Sequence, residues 1–302
     1  MNIQNIYGKV PLELVSAPQE ATQFSPLMPG AFALEDCTSS SLHNMVIHAP
    51  AGTLERRYTL ALALHALVPG ASLTVMAAKD KGGTRLKKEL ESFGCLVVED
   101  ARRHFRICNC TRPKDIIGYD KAISDGTPRL IETIGLWSQP GVFSWDHLDP
   151  GSILLTNNLP QFYGSGADFG CGIGYLSQMV LKSESVKHMT LIDIDRRAVT
   201  NAKRNVTDKR AQFLWSDIDN FNASSDSLDF VVMNPPFHDT GVEDRELGEK
   251  FIMHAHRLLH TGGSCWLTAN RHLPYEETLK KLYKKVTLRA DAAGYKVYEA
   301  IK

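Results

Sequence analysis

The chain has 302 residues and a formal net charge of zero, since 34 lysines and arginines balance 34 aspartates and glutamates. This length suits two domains, and the balanced charge speaks against a protein that binds nucleic acid through an overall positive charge. Positive charge is concentrated locally, because residues 79–114 hold ten lysines and arginines against five acidic residues, and residues 271–302 hold eight against four. Both segments are candidates for contact with phosphate, with solvated helix faces as the alternative.

The six cysteines form no C-x-x-C pair, and no cluster of further ligands follows the closest pair, Cys108 and Cys110. We therefore expect no metal site. The chain does not open with a basic flank followed by an apolar core, and its longest apolar stretch, residues 58–78, is interrupted by a histidine, a proline and a glycine. We expect a reduced, soluble, cytoplasmic protein without a membrane partner that acts as a monomer.

The first half of the chain contains a partial repeat of the second half. Residues 41–50 align with residues 227–236 at an offset of 186. Two further blocks continue the alignment: Leu67, Gly70, Ser72 and Ala77 match Leu259, Gly262, Ser264 and Ala269, and Leu86, Lys87 and Lys88 match Leu279, Lys280 and Lys281. Three collinear matches in the same order indicate a duplicated domain. At the end of the first block, His48 stands where the second copy has Asn234.

Three aromatic residues, Trp137, Phe143 and Trp145, lie between these two regions. Because aromatic side chains contribute much of the buried area of a core, we expect them there. A lid over a bound ligand is the alternative for Phe143 and the adjacent Ser144.

The second half alternates predicted strands with predicted helices. Strand candidates cover residues 167–169, 189–193, 211–215, 229–233 and 264–269, and helix candidates cover residues 175–182, 196–205 and 245–260. This order predicts an α/β fold with a mainly parallel, Rossmann-like sheet. Residues 286–291 and 295–301 form a predicted closing hairpin that adds one antiparallel strand. In such a sheet, ligands bind beyond the carboxyl ends of the strands.

A glycine-rich turn follows the first of these strand candidates, where the sequence is Asp168-Phe169-Gly170-Cys171-Gly172-Ile173-Gly174. Alternating glycines between a strand and a helix allow a tight turn whose backbone approaches a ligand closely. A dinucleotide G-x-G-x-x-G motif counted from Gly170 requires a glycine at position 175, where Tyr175 stands. The spacing therefore disfavours a nicotinamide-type site.

Acidic residues end or follow the next two strand candidates. Asp193 comes directly after the apolar run of residues 189–192 and is placed to accept hydrogen bonds from a ribose diol. Asp217 follows the strand candidate 211–215 and is placed to accept an adenine N–H, whereas Asp195 is expected to face solvent. One such aspartate alone is more often a helix cap or a surface charge. Several of them in register with a glycine turn favour a nucleoside site.

The sequence Asn234-Pro235-Pro236-Phe237 directly follows an apolar run. An aromatic amine is a poor nucleophile because its lone pair is delocalised into the ring. The Asn234 side-chain carbonyl and the Pro235 backbone carbonyl can each accept one N–H and turn the nitrogen toward a sulfonium methyl group. Phe237 offers a face for stacking an unstacked base. The alternative is an ordinary Pro-Pro turn, but the upstream glycine turn favours an amino-group methyltransferase that uses S-adenosylmethionine.

Four segments of the chain resemble the bacterial ribosomal RNA guanine-N2 methyltransferases, a family with a small-subunit (16S) and a large-subunit (23S) enzyme. They are Asn234-Pro235-Pro236-Phe237-His238-Asp239, Pro140-Gly141-Val142-Phe143-Ser144, Leu148-Asp149-Pro150-Gly151-Ser152 and Ala269-Asn270-Arg271-His272-Leu273. The resemblance is close over residues 137–302. It departs from the small-subunit enzymes at Thr240, which intervenes before Gly241, while residues 270–273 look more like the large-subunit enzyme.

The resemblance implies a class I S-adenosylmethionine-dependent methyltransferase fold over residues 129–302, preceded by a degenerate, non-catalytic methyltransferase-like domain over residues 1–128. The implied catalytic residues are Asn234, Pro235 and Phe237. The implied cofactor-binding residues are Asp168, Gly170, Gly172, Gly174, Asp193, Asp217 and Asn234.

The substrate implied by the resemblance is a guanine N2 amine in ribosomal RNA, with 16S rRNA as the leading choice and ribosomal RNA or a ribosomal subunit assembly intermediate as the partner. Methylation of 23S rRNA, of an adenine N6 amine or of a protein glutamine is the enzymatic alternative, because the same acceptor geometry recognises any planar amino group. A non-catalytic RNA-binding or assembly protein is the third hypothesis. Intact Asp168, Gly172, Asp193 and Asn234 disfavour it.

Overall fold

The computed structural model describes residues 3–11, 13–15, 20–221, 227–236, 238–239, 242–243 and 245–302. The chain divides into two compact units. Unit 1 comprises residues 1–128 and 139–141, and unit 2 comprises residues 129–138 and 142–302. In the described part of the chain, no helix combines the length and the apolar character that crossing a bilayer requires.

Unit 1 is an α/β unit built on one sheet. Its strands are β1 (Asn5–Tyr7), β2 (Thr22–Phe24), β3 (Leu42–His48), β4 (Leu67–Ala78), β5 (Val98–Arg102) and β6 (Phe105–Thr111), and its helices are α1 (Thr53–Ala66), α2 (Leu86–Ser92) and α3 (Tyr119–Gly126). Within the described residues the strand order is β2-β1-β3-β4-β6-β5. The first four of these strands run parallel, and β6 pairs antiparallel with β4 and β5. The buried face of α1 packs with β3 and β4 in the main core of the unit.

A buried ion pair joins two helices of unit 1. The guanidinium of Arg56, on α1, is fully buried and donates to both carboxylate oxygens of Glu89, on α2, at 2.7 and 2.8 Å. The same guanidinium donates to the backbone carbonyls of Pro50 and Ala51, in the loop that follows β3. The two charges of this cluster are therefore paired away from water. Removing either one would leave the other buried without compensation, which destabilises the fold.

Unit 2 contains the alternation that the sequence predicts. Its strands are β7 (Arg129–Ile131), β8 (Leu136–Ser138), β9 (Gly164–Phe169), β10 (Val186–Asp193), β11 (Ala211–Trp215), β12 (Leu228–Met233), β13 (His238–Asp239), β14 (Val242–Glu243), β15 (Leu259–Asn270), β16 (Lys285–Ala292) and β17 (Tyr295–Ile301). Its helices are α4 (Pro150–Thr156), α5 (Tyr175–Val180), α6 (Arg196–Asn205), α7 (Arg245–Leu258) and α8 (Tyr275–Leu282).

The main sheet of unit 2 has the order β11-β10-β9-β12-β15-β17-β16 within the described residues. All pairs from β11 to β15 are parallel, and β17 is antiparallel to both of its neighbours. This is the mainly parallel sheet with one reversed strand that the sequence predicts. The central strand β9 is buried on both faces. Ala167 and Phe169 belong to the core cluster on one face, and Phe230 of the neighbouring strand β12 belongs to the cluster on the other face. A Cβ at Gly166 would lie 2.2 Å from the Phe230 ring, so this position of β9 requires glycine.

The two sheets share their strand order and their register. Reading outward from β9 through β12, β15, β17 and β16 gives the same pattern of parallel and antiparallel pairs as reading from β1 through β3, β4, β6 and β5. In β3 and β4, Leu42 pairs with Leu67 and Asn44 with Ser72, with a register shift between the two pairs. In β12 and β15, Leu228 pairs with Leu259 and Phe230 with Ser264, with the same shift. These pairs stand at the offsets of 186 and 192 at which the two sequences align.

Several predicted boundaries differ from the structure, since β9 and β10 each begin three residues earlier and α5 ends at Val180, and the largest difference lies between α7 and β15. The periodicity predicts a helix over residues 245–260 and a strand over 264–269, whereas α7 ends at Leu258 and β15 begins at Leu259. The first part of β15 precedes Gly262, whose φ is +89°, and Gly263. Local pattern does not place this boundary, because it falls between two adjacent buried leucines, Leu258 and Leu259, that suit the end of a helix and the start of a strand equally.

Candidate active site

The predicted ligand-binding residues lie at the carboxyl ends of the parallel strands β9, β10, β11 and β12. Gly170, Gly172 and Gly174 follow β9 with φ values of +71°, +52° and +88°, a region that other residues rarely adopt. A Cβ at Gly174 would lie 2.9 Å from Cγ2 of Val206, so this glycine lets the turn pack against the end of α6. A Cβ at Gly172 would meet no atom within 4 Å. The backbone of the turn is therefore open to a ligand at Gly172.

Asp193 ties the glycine turn to the end of β10. Its Oδ2 accepts a hydrogen bond from the Gly172 N–H at 2.8 Å, and its Oδ1 accepts one from the Asp195 N–H at 2.8 Å. Burial raises the pKa of Asp193 to about 6, although these backbone hydrogen bonds act in the opposite direction. A carboxylate oxygen has two lone pairs, so both oxygens keep capacity for a further donor such as a hydroxyl group.

Asp168 lies beneath the glycine turn and is fully buried. Its Oδ2 accepts a hydrogen bond from the Ser177 hydroxyl at 2.7 Å, and within the described residues its Oδ1 is buried without a hydrogen-bond partner. Burial raises the pKa of Asp168 to about 7, and the neighbouring Asp193 adds to the rise. A cationic group nearby would favour the ionised carboxylate.

Asn234 follows β12 with its carboxamide in a fixed orientation. Its Nδ2 donates to Oδ2 of Asp149 at 2.8 Å and to Oγ of Ser152 at 2.9 Å. Only the nitrogen of a carboxamide can donate, and a carboxylate can only accept. The contact with Asp149 therefore identifies the atom that faces it as Nδ2 and the opposite atom as Oδ1. In the part of the chain that the structure describes, the buried Oδ1 of Asn234 has no hydrogen-bond partner.

These residues surround two adjoining cavities. The larger has a volume of about 350 Å³ and is lined mainly by apolar surface from Ile194, Ile218, Leu247 and Phe251, with Asp193 and Asp217 as its acidic members. The smaller, of about 50 Å³, is lined by residues that include Asp149, Ser152 and Tyr175. Four residues line both: Phe143, Gly170, Gly172 and Asn234. An apolar cleft with a few converging polar groups, at the carboxyl edge of an α/β sheet, is typical of a ligand site.

Comparison with known proteins agrees with this geometry. Residues 133–299 match the family model described as the methyltransferase small domain. A Shewanella loihica protein named ribosomal RNA small subunit methyltransferase C is 31% identical over 249 residues, which cover 80% of this chain and 72% of the relative. The chain belongs to this methyltransferase family. The family resemblance inferred from the sequence is thereby confirmed.

Two further comparisons extend over almost the whole chain. A Shewanella denitrificans protein of the same name is 26% identical over 292 residues, which cover 94% of this chain and 82% of the relative. A solved structure is also similar: the T. thermophilus 16S rRNA N2 G1207 methyltransferase in complex with AdoMet and guanosine. The match has a TM-score of 0.81 and 23% sequence identity, and it covers 100% of this chain and 88% of that structure. The likeness confirms the predicted class I methyltransferase fold.

The structure brings most of the predicted site residues together. Those that line the larger cavity are Gly170, Gly172, Asp193, Asp217, Asn234 and Pro235. Asp168 and Gly174 support the turn from below and from the side of α6. Phe237, the predicted stacking residue, lies outside the described residues. The assignment of a role to each residue stays a prediction.

The carboxylate of Asp217 lines the larger cavity but already has two partners. It accepts a hydrogen bond from the Asp219 N–H at 3.1 Å, which caps a short 3-10 helix over Ile218–Asn220, and it lies 3.7 Å from Nζ of Lys250. The capping role that the sequence offers as the alternative is therefore present alongside the ligand-facing position.

Three expectations about burial are wrong. Trp137 was expected in the core, but 37% of it is exposed and the Arg204 guanidinium lies over its ring. Asp195 was expected to face solvent, but it is 6% exposed because its side chain caps α6 and pairs with Arg197 at 2.8 Å. Phe143 was expected in the core, but 57% of it is exposed and it lines both cavities. Its position suits the lid that the sequence offers as the alternative.

The partners of Asn234 were missed as site residues. Asp149 and Ser152 stand 85 and 82 residues before it, and locally Asp149 followed by proline indicates only a helix N-cap. The cap is present, since Oδ2 of Asp149 accepts from the Ser152 N–H at 2.7 Å. The recurrence of this segment in the related family was the one signal that could have found them.

Proposed function

We propose that the protein transfers a methyl group from S-adenosylmethionine to the N2 amine of a guanine in 16S rRNA. The single observation that carries the proposal is the carboxamide of Asn234, which lines the cavity with both donors engaged and with no described residue bonded to its acceptor. The names of its relatives and the ligands of the T. thermophilus structure support the substrate class.

The larger cavity fits an S-adenosylmethionine molecule. The open backbone at Gly172 suits the amino-acid end of the cofactor, and Asp168 supports this turn from below, where its carboxylate accepts a hydrogen bond from Ser177. The carboxylate of Asp193 suits a ribose diol, and the apolar side chains of Ile194 and Phe251 suit an adenine ring. When bound, the cofactor supplies an electrophilic methyl group and leaves as a neutral thioether.

The residues after β12 hold the methyl acceptor. The Oδ1 atom of Asn234 and the backbone carbonyl of Pro235 each accept one N–H of the guanine amine, which favours a pyramidal nitrogen whose lone pair is localised and directed at the methyl group. The nitrogen would form a bond to the methyl carbon as the carbon–sulfur bond breaks, and the positively charged nitrogen would then release a proton to water. The developing positive charge on nitrogen is stabilised by the two acceptors, so no strong general base is needed before transfer.

We also propose that unit 1 is a degenerate methyltransferase-like domain that engages RNA without binding cofactor. The shared strand order and register support a common origin of the two units. Where unit 2 has Asn234 and Pro235, unit 1 has His48 and Ala49. The His48 ring lies 2.7 Å from the Lys9 carbonyl, and Arg56 fills the space beside Pro50. In unit 1 the polar groups at this position are therefore hydrogen-bonded within the protein, and they do not form a pair of acceptors for a ligand.

The function is tested by transfer of radiolabelled methyl to separate acceptors: small ribosomal subunits, naked 16S rRNA, large ribosomal subunits and a release-factor protein. We expect label in small-subunit RNA and N2-methylguanosine as the product when the RNA is digested and its nucleosides are analysed by mass spectrometry. N6-methyladenosine, methylglutamine or label confined to 23S rRNA would refute the proposal.

The cofactor site is tested by replacing Gly172 with valine. We expect calorimetry to show one equivalent of S-adenosylmethionine per parent chain. For Gly172→Val we expect at least a tenfold weaker affinity, because the valine side chain occupies the space through which the cofactor approaches the backbone of the turn. Gly135→Val is a matched control, since Gly135 also has a positive φ (+66°) and an open Cβ direction. Two equivalents per chain, or equal affinity in both variants, would contradict the assignment.

A further inference from the structure

The segment Asp149-Pro150-Gly151-Ser152 contacts the proposed methyl-acceptor residue Asn234 rather than the larger cavity. Asp149 is 8% exposed and Ser152 is 9% exposed, and both line the smaller cavity. One oxygen, Oδ2 of Asp149, accepts from the Ser152 N–H and from Nδ2 of Asn234, at 2.7 and 2.8 Å. The N-cap of α4 and the orientation of Asn234 thus depend on the same atom.

A third side chain completes this cluster. The hydroxyl of Tyr295, on β17, donates to Oδ1 of Asp149 at 3.4 Å. Burial and the Asp149 carboxylate raise the pKa of Tyr295, which keeps the phenol protonated as a donor at neutral pH. A Cβ at Gly151 would lie 2.6 Å from the Tyr295 ring and 3.0 Å from Oδ2 of Asp149. Glycine at position 151 therefore lets the ring pack against α4 while the carboxylate faces Asn234.

We propose that Asp149 and Ser152 are positioning residues for methyl transfer, and that they act through Asn234. An uncharged carboxamide can rotate by 180° about its last bond and present either oxygen or nitrogen to a ligand. The Asp149 carboxylate can only accept, so it stabilises the rotamer that directs Nδ2 to it and leaves Oδ1 for the substrate amine, and the Ser152 hydroxyl adds a second acceptor to that rotamer. The inference rests on the proposed role of Asn234 as an acceptor for the amine.

The charge of Asp149 contributes a second effect. A hydrogen bond from Nδ2 to a carboxylate polarises the carboxamide and increases the negative charge on Oδ1. This oxygen then stabilises more strongly the positive charge that develops on the attacking nitrogen. Ser152 supplies orientation without charge, so its removal is expected to have a smaller effect than neutralisation of Asp149.

The variant Asp149→Asn isolates the charge. Asparagine is as good an N-cap as aspartate, and its oxygen can keep the bonds from the Ser152 N–H and from Asn234. We expect the single-turnover rate of methyl transfer to fall roughly ten- to a hundredfold, the scale for a hydrogen bond to a charged group, with the affinity for S-adenosylmethionine little changed. Ser152→Ala keeps the backbone cap and is expected to lower the rate by a smaller factor. Ser183→Ala, which removes a hydroxyl bonded to the Phe162 carbonyl, is the matched control.

A double-variant cycle decides whether Asp149 acts through Asn234. If it does, Asp149→Asn lowers the rate in the parent but has no further effect in an Asn234→Ala background, because the group it positions is absent. A structural role of Asp149 would instead lower the rate by the same factor in both backgrounds, and that additivity would overturn the inference. An unchanged rate in both Asp149→Asn and Ser152→Ala would overturn it as well.

The same experiment separates this inference from the proposed function. The parent must first yield N2-methylguanosine in 16S rRNA, and failure at that step refutes the function whatever the variants do. With an active parent, additive variants refute only the positioning role.

Discussion

Asn234→Ala is expected to slow methyl transfer by roughly two to three orders of magnitude while leaving the affinity for S-adenosylmethionine nearly intact. This is the scale for removing a preorganised polar contact at the reacting centre. The side chain reaches the cavity with its donors bound to Asp149 and Ser152 and its acceptor unpaired, so truncation removes one of the two proposed acceptors for the amine. Rates are measured under single-turnover conditions and cofactor affinity by calorimetry.

A matched control distinguishes this effect from general destabilisation. Asn157→Ala makes the same substitution at the exposed C-cap of α4 and is expected to retain the parent rate. Full activity in Asn234→Ala would contradict the acceptor role. A parallel loss of cofactor affinity and rate would show that Asn234 contributes to cofactor binding instead of to the transfer step.

Glu89→Gln is expected to lower the free energy of unfolding of unit 1 by roughly 3–5 kcal/mol, the scale for leaving one member of a buried ion pair without its partner. The Arg56 side chain is 0% exposed and the Glu89 side chain is 9% exposed, so water cannot replace the lost carboxylate. Loss of the charge leaves a guanidinium whose contacts are the Pro50 and Ala51 carbonyls, the Thr53 hydroxyl and a neutral amide, none of which carries a negative charge. Urea denaturation followed by a probe in unit 1 measures the change.

Two further variants sharpen this test. Glu91→Gln makes the same change at an exposed position of α2 and is expected to alter stability by less than about 0.5 kcal/mol. Replacing both members together, as Arg56→Met with Glu89→Leu, is expected to recover most of the loss, because apolar groups need no partner. Equal losses in Glu89→Gln and Glu91→Gln would show that the buried pair is not what stabilises this part of the fold.

The sequence predicts the sheet of unit 2 well because its strands are apolar runs punctuated by glycine, proline and aspartate. The glycine turn, Asp193 and Asn234 can each be recognised in the sequence at the end of a predicted strand. Parallel strands bring their carboxyl ends to one edge of the sheet, so these residues are expected to lie together. The resemblance to a known family adds the substrate class, which the spacing of residues alone leaves open among several planar amines.

The parts that sequence reasoning missed depend on contacts between distant segments. Asp195 looks exposed from strand alternation, but α6 begins there and buries it with Arg197. Asp149 looks like an ordinary N-cap, and only the fold brings its second lone pair to Asn234, 85 residues away. The exposure of Phe143 likewise follows from the path of its loop over the cavities, which no local pattern encodes.

The shared register of the two sheets has a consequence for how such a protein can change. Both units keep the same pairing down to the position of one register shift, yet after β3 the chain has His48 and Ala49 where Asn234 and Pro235 follow β12, before a proline that both units share. Residues that face a ligand lie on connections, whereas the residues that stabilise the sheet lie inside the strands. Substitutions in these connections can therefore remove one activity while the sheet still folds. The folded unit then remains available for selection for a different function.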